Sequence, residues 1–303
     1  MHGLRGHRIK TWTKDGCCWP RDLLPKQLPG ARIITFGYDA KVAGFFSRAS
    51  SNNINKHAES LLHDLRGLRQ GGTKHPIIFV AHSLGGILVK DALRKSRNLS
   101  FSSSSVDIAT RPYQDTPDGE EVSLLDATRG IIFLGTPHHG SSYANFGKHV
   151  ARILSAVSRD TNVRLLRSIE PDSEILERIS EDFRSIITRK RIRICSFVEE
   201  LPMSYMLDVS SPRTIRSKCT NFPKPVVNHR SGYIGIDGEI RGTIHANHRD
   251  MCRFKDSKDP GFDRISKILV EFVAAAIHRY SDRPPQIPPP TRQREEVGFY
   301  RTE

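Results

Sequence analysis

The 303 residues include 37% hydrophobic side chains, enough for a sizeable core, which excludes a disordered chain. The formal charge of +14 raises nucleic acid and anionic membrane as partners, yet the basic residues are scattered, the tightest cluster being Arg189-Lys190-Arg191-Ile192-Arg193. Five cysteines without C-x-x-C spacing (Cys17, Cys18, Cys195, Cys219 and Cys252) argue against a disulfide framework and a zinc site, and no signal peptide or run of about 18 apolar residues occurs.

The chain opens on His2-Gly3-Leu4-Arg5-Gly6, an H-G-x-x-G element of the kind that lies between a strand and a helix beside a catalytic serine. The Leu4 N–H of such a loop is a candidate oxyanion donor. An apolar strand should deliver the loop, and Met1 leaves no room for it, so the first strand is expected to be truncated. Between Trp12 and Leu28 the apolar Trp19, Leu23, Leu24 and Leu28 predict a short helix ending near Pro29-Gly30. Ala31 to Tyr38, rich in β-branched and aromatic residues, predicts a strand, followed by a Ser/Asn-rich loop from Asp39 to Asn55. Ala58, Leu61, Leu62, Leu65 and Leu68 recur at helical spacing between Lys56 and Gln70, and Gly71-Gly72 stops that helix.

The next stretch organises the rest. Ile77 to Val80 is a buried-strand pattern, Ala81-His82-Ser83-Leu84-Gly85 is a turn of small residues around a serine, and Gly86 onward is helical. This is G-x-S-x-G with Ala81 for the first glycine. A methyl group is the least intrusive replacement, so the motif is taken as intact. A serine on such a turn projects from the carboxyl edge of the sheet, where the N–H of Leu84 supplies a second oxyanion donor.

Ser96 to Asp126 is polar, low in complexity and punctuated by Pro112, Pro117 and Gly119, which predicts an insertion. Gly130 to Gly135 is the next strand, and its carboxyl-end loop carries His138 and His139, expected near the pocket in a hydrogen-bonding role. Ala144 to Ile187 predicts helices and Ile192 to Val198 a further strand. That strand ends in Glu199-Glu200, so Glu199 is the first candidate for an acid that orients a histidine, with Glu200 and Asp208 behind it. A second insertion is expected at about 210–225, and Val226-Val227 is a candidate last strand. His229, His245 and His248 precede a final helix over Phe262 to Tyr280. In the chain order serine, acid, histidine, His248 fits best as the base and His245 is the alternative. Residues 281–303 form a Pro-rich linker and polar tail.

Strands alternating with helices predict an open, mostly parallel sheet flanked by helices. His2-Gly3-Leu4, the Trp19 to Pro25 segment, Thr35-Phe36-Gly37-Tyr38-Asp39, His82-Ser83-Leu84-Gly85-Gly86, Gly130 to His138, Ser196-Phe197-Val198-Glu199 and Asn247 to Phe254 occur in the same order in lipase-like α/β hydrolases. Over residues 1–280 the chain resembles the serine-active-site-containing protein family and the amino-terminal hydrolase domains of fungal NACHT and repeat proteins, and more remotely GPI inositol-deacylases. The resemblance implies an α/β-hydrolase fold with Ser83 as nucleophile, His248 as base and Glu199 as acid, and no metal or organic cofactor. It also implies an ester or lipid substrate and an intracellular place, cytoplasmic or peripheral at mitochondrion or endoplasmic reticulum. Contact with anionic membrane and tethering to further domains are the expected partnerships, and no nucleic acid is expected. The competing expectation is a non-catalytic recognition or signalling module of the same fold, or a truncated inactive fragment.

Overall fold

The computed structural model describes residues 1–39, 50–69, 75–104, 123–138, 173–202, 225–227 and 229–281. After a 3-10 turn at Lys10–Trp12, the two-residue strands Thr13–Lys14 (β1) and Cys17–Cys18 (β2) pair as an antiparallel hairpin. Its turn residues Asp15 and Gly16 both have positive φ, 48° and 81°, the requirement of a tight hairpin turn. Helical turns Trp19–Asp22 (α1) and Leu24–Gln27 (α2) follow, each with proline in its first positions, where the missing N–H costs nothing. The single helix expected from Trp12 to Leu28 is therefore a hairpin and two turns, because Gly16 admits a reversal and Pro20 and Pro25 start new helical segments.

The remaining elements are helix Ser50–Leu68 (α3), strand Ile77–His82 (β3), helix Gly85–Ser104 (α4), the turn Leu124–Ala127 (α5), strand Thr128–Leu134 (β4), helix Ser173–Lys190 (α6), strand Arg193–Glu199 (β5), the turn His229–Gly232 (α7), strand Ile240–Ile244 (β6) and helix Pro260–Ser281 (α8). The strands β3 to β6 form one four-stranded sheet in sequence order, every neighbouring pair parallel. Alternation along a strand sends successive side chains to opposite faces. Ile131 and Phe133 of β4 thus join Leu61, Leu88 and Phe183 from α3, α4 and α6, whereas Ile132 and Leu134 join Trp19, Phe254, Phe262 and Phe272 on the other face. With both faces covered, the chain has an α/β fold in which β3 to β6 all end at the same edge.

Two strand expectations need correction. Ala31–Tyr38 is extended but belongs to no ladder among the described residues. The place beside the carboxyl end of β3 is taken by Met1, whose amine donates to the Val80 carbonyl at 2.8 Å and whose carbonyl accepts from the His82 N–H at 3.0 Å. Met1 thus forms one parallel rung, and residues 31–39 attach instead through the side chains of Arg32 and Tyr38. Val226-Val227 is also not a strand, because the Val227 N–H is drawn to the Glu199 side chain. The fourth strand is Ile240–Ile244, preceded by Glu239, whose carboxylate collects the N–H groups of Ile234 and Gly235 and the Ser196 hydroxyl. Of the helices expected between Ala144 and Ile187, only α6 lies within the described residues.

Candidate active site

The elbow is held by its neighbours on the sheet. Ser83 follows the last residue of β3 with φ 54°, a left-handed conformation that costs a non-glycine residue on the order of 1 kcal/mol or more. Hydrogen bonds on both sides of the residue stabilise it: the Ser83 N–H donates to the Leu134 carbonyl at 2.8 Å, and the Thr136 hydroxyl donates to the Ser83 carbonyl at 3.0 Å. The small residues of the motif are close-approach positions. A Cβ at Gly86 would meet the Thr136 side chain, so the turn tolerates only hydrogen there.

His248 comes to Ser83 from the loop after β6. Asn247 shapes that loop by accepting the N–H groups of Arg249 and Asp250 on its side-chain oxygen at 3.0 and 2.9 Å. Buried Met251, Cys252 and Phe254 anchor it, and the Trp19 indole N–H donates to the Cys252 carbonyl at 3.0 Å. The outcome is a buried imidazole whose Nε2 lies 3.0 Å from Ser83 Oγ.

Glu199 ends β5 on the same sheet face as Cys195 and Phe197, which turns its carboxylate toward the His248 loop. Its Oε1 is 3.3 Å from His248 Nδ1, and both side chains are excluded from solvent. The pair is within ion-pair range but off the axis of a good hydrogen bond, since His248 Nδ1 has no hydrogen-bond partner among the described residues. The Val227 N–H donates to the same oxygen at 2.6 Å. Burial alone would raise the Glu199 carboxyl. The charge and contact of His248, with the Val227 N–H, outweigh it and hold the group below its ordinary value.

The first loop closes the site from the other side. Gly3 lies so near the nucleophile that a Cβ there would be 2.6 Å from Ser83 Cβ and 3.0 Å from the His82 carbonyl. The Gly6 N–H bonds the Gly3 carbonyl at 3.0 Å across a turn in which Arg5 has φ 51°. Tyr38 fixes this loop: its hydroxyl donates to the His2 carbonyl at 2.8 Å, its N–H donates to His2 Nε2 at 3.3 Å, and the two rings stack at 4.4 Å. The acceptor role of Nε2 puts the proton on His2 Nδ1, 3.0 Å from the Gly3 carbonyl, and burial lowers this imidazole to about 4. The N–H groups of Leu4 and Leu84 have no hydrogen-bond partner among the described residues.

Of the alternatives, Glu200 is engaged elsewhere, accepting from the Thr243 hydroxyl and lying 2.7 Å from Nδ1 of the exposed His245. Asp208 and His139 lie outside the described residues. His138 is buried at the end of β4, with its N–H on the Ser231 carbonyl and its ring edge-on to Phe133. Among the described residues no group of three His, Cys, Asp or Glu side chains is placed to hold a metal ion, and no helix is long and apolar enough to cross a membrane. Sequence reasoning missed the roles of His82, Tyr38, Thr136, Trp19 and Val227. Only Trp19 and Tyr38 carry a signal in their residue type, since a buried Trp N–H or Tyr hydroxyl needs a partner.

No protein-family model matches the chain. It is 29% identical over 221 residues to Protein SERAC1 of Bos taurus, a stretch covering 67% of this chain and 30% of that protein. It is 28% identical over 293 residues to Protein SERAC1 of Homo sapiens, covering 90% of this chain and 38% of the relative. The chain therefore spans 30% to 38% of the length of these curated relatives. Among solved structures, a monoacylglycerol lipase of Paleococcus ferrophilus aligns with 91% of this chain and 93% of its own at 11% identity and a TM-score of 0.36.

Proposed function

We propose that this chain is a serine ester hydrolase working through an acyl-enzyme. The observation that carries the reading is the 3.0 Å contact between His248 Nε2 and the hydroxyl of Ser83 on a positive-φ elbow. With its proton on Nδ1, facing the Glu199 carboxylate, His248 keeps the Nε2 lone pair for the Ser83 hydroxyl. As Oγ attacks an ester carbonyl carbon, its proton passes to Nε2 and the carbonyl oxygen becomes an oxyanion at the Leu4 and Leu84 N–H groups. His248 then returns the proton to the leaving alkoxide. Water, deprotonated by the same nitrogen, attacks the acyl carbon and frees Ser83. The 3.3 Å separation from Glu199 tightens as His248 becomes an imidazolium, as catalytic hydrogen bonds do on the way to the transition state.

Lipid esters are the substrate class to test first, the one to which the family resemblance of the sequence points. The +14 charge supports peripheral contact with an anionic membrane as the way such a substrate is reached. The Pro-rich tail supports tethering to further domains, and a place at mitochondrion or endoplasmic reticulum rests on the family resemblance alone.

The test is incubation with a fluorophosphonate, which reads nucleophile activation without knowledge of the substrate. A mass adduct on Ser83 is expected in the native chain, none in Ser83→Ala, and a rate at least about 10³-fold lower in His248→Ala, the scale on which triad members act. A folded native chain that remains unlabelled at Ser83 would overturn the hydrolase reading in favour of a non-catalytic recognition module.

A further inference from the structure

The residue before the nucleophile makes a contact for which the proposed chemistry has so far given no use. Parity along β3 sends Ala81 to the α3/α4 face and His82 to the face on which the His248 loop packs. There His82 Nε2 lies 2.8 Å from the main-chain carbonyl of His248, and the two rings are 5.0 Å apart at 41°. A carbonyl only accepts, so His82 Nε2 bears a hydrogen. Burial, with the neighbouring charge of His248, pushes this imidazole well below its ordinary value, so it is neutral. Nδ1 therefore carries the lone pair, and a single tautomer serves the contact.

Three attachments then define where His248 can be. Glu199 meets the far nitrogen of its ring, Asn247 shapes its turn, and His82 holds its backbone from the strand that carries Ser83. Only the last ties the base directly to the nucleophile's own strand. Without it the buried carbonyl loses its donor and the Nε2 to Oγ distance rests on Glu199, on the Asn247 turn and on the packing of Met251, Cys252 and Phe254, where a 1 Å displacement typically costs about 10²-fold in rate.

We propose that His82 is a positioning residue, whose Nε2–H bond to the His248 carbonyl holds the base in register with Ser83. The inference rests on the serine-hydrolase reading. It assigns His82 no contact with substrate or with reacting atoms.

The experiment compares fluorophosphonate labelling rates of the native chain with those of His82→Gln, His82→Asn and His82→Met, each first checked for a cooperative thermal melt. A Gln amide reaches the position of Nε2 and restores the donor, Asn stops near Nδ1, and Met fills the volume without a donor. Labelling by Gln within about 5-fold of the native rate, with Asn and Met at least about 10-fold slower, is the expected pattern. Asn and Met variants labelled at the native rate, or a Gln variant as slow as Met, would overturn it. The Gln and Asn pair keeps the test open if Met fails to fold, since both bring an amide into the same pocket. Failure of the underlying reading is seen separately, because the native chain would then not label at all.

Discussion

At Glu199 two effects oppose each other within one side chain, and their balance decides its state. Burial favours the neutral acid, and the contacts with His248 and the Val227 N–H favour the carboxylate and prevail. Replacement by glutamine keeps the shape and leaves an oxygen that the Val227 N–H and His248 Nδ1 both face, but removes the charge that stabilises the imidazolium. A hydrogen bond to a charged partner contributes about 1.5 to 3 kcal/mol, so Glu199→Gln is expected to lower the rate of Ser83 labelling by about 10- to 10²-fold. Glu200→Gln, whose carboxylate is occupied on the surface by Thr243 and His245, is expected to keep the native rate. Equal rates in the native chain and Glu199→Gln would remove Glu199 from the triad. The stability effect has the opposite sense. A carboxylate with a lowered folded value contributes stability above about pH 4.5 that disappears as pH falls through that value, so the glutamine variant lacks this part of acid unfolding.

Between elements, the site depends on how closely the first loop approaches the elbow. Gly3 is the contact point, and the atoms a Cβ would meet there are Ser83 Cβ and the His82 carbonyl, neither of them the far end of a flexible chain. Gly3→Ala must therefore shift the loop and carry the Leu4 N–H away from the nucleophile. Loss of one oxyanion donor typically costs about 3 to 4 kcal/mol in the barrier, or 10²- to 10³-fold, and a drop of that size in the labelling rate is expected with the melt still cooperative. An unchanged rate would remove Leu4 from the oxyanion site. The same contacts explain what the sequence made legible. The elbow leaves a local mark, because Ala81, Gly85 and Gly86 must be small, and β3, β4 and β5 are short apolar runs. The strand Ile240–Ile244 leaves almost none, with Arg241 and a central Gly242 in five residues. The choice between Glu199 and Glu200 was open in sequence because it depends on where β5 ends: Glu199 continues the inward series of Cys195 and Phe197, and Glu200 begins the surface loop. The segment Ala31–Tyr38, extended but in no ladder among the described residues, shows the limit of strand propensity, which reports an extended half-buried chain and not a ladder.

For the whole molecule, buried bases determine how stability varies with pH. Lys90 of α4 is solvent-excluded between α4 and α6, its ammonium 5.8 Å from the Phe133 ring centre and 5.3 Å from that of Phe183. Burial first, and then the like charge of Arg184, lower it to about 7 against the attraction of Glu239. Between pH 7 and about 10.5 the unfolded chain binds a proton at this lysine that the folded chain does not, so stability rises with pH across that window and the full penalty applies below it. His2 and His82 act in the same direction at lower pH. Both are neutral when folded, and the unfolded chain protonates them below about pH 6.5, so stability falls as pH drops through 6.5 toward about 4, the value to which burial lowers His2. Urea unfolding is therefore expected to show a free energy that increases from pH 5 to pH 9. Lys90→Met, which fills the same volume without a charge, is expected to stabilise the chain by a few kcal/mol at pH 6, on the order of 1.4 kcal/mol for each unit by which the amine is lowered. The gain should shrink as pH rises through this window and vanish above about pH 10.5, where the amine is neutral in both the folded and the unfolded native chain. A gain of constant size across that range would mean that the pH dependence arises elsewhere, and a loss of stability at pH 6 would mean that the ammonium between Phe133 and Phe183 is a net stabilising contact.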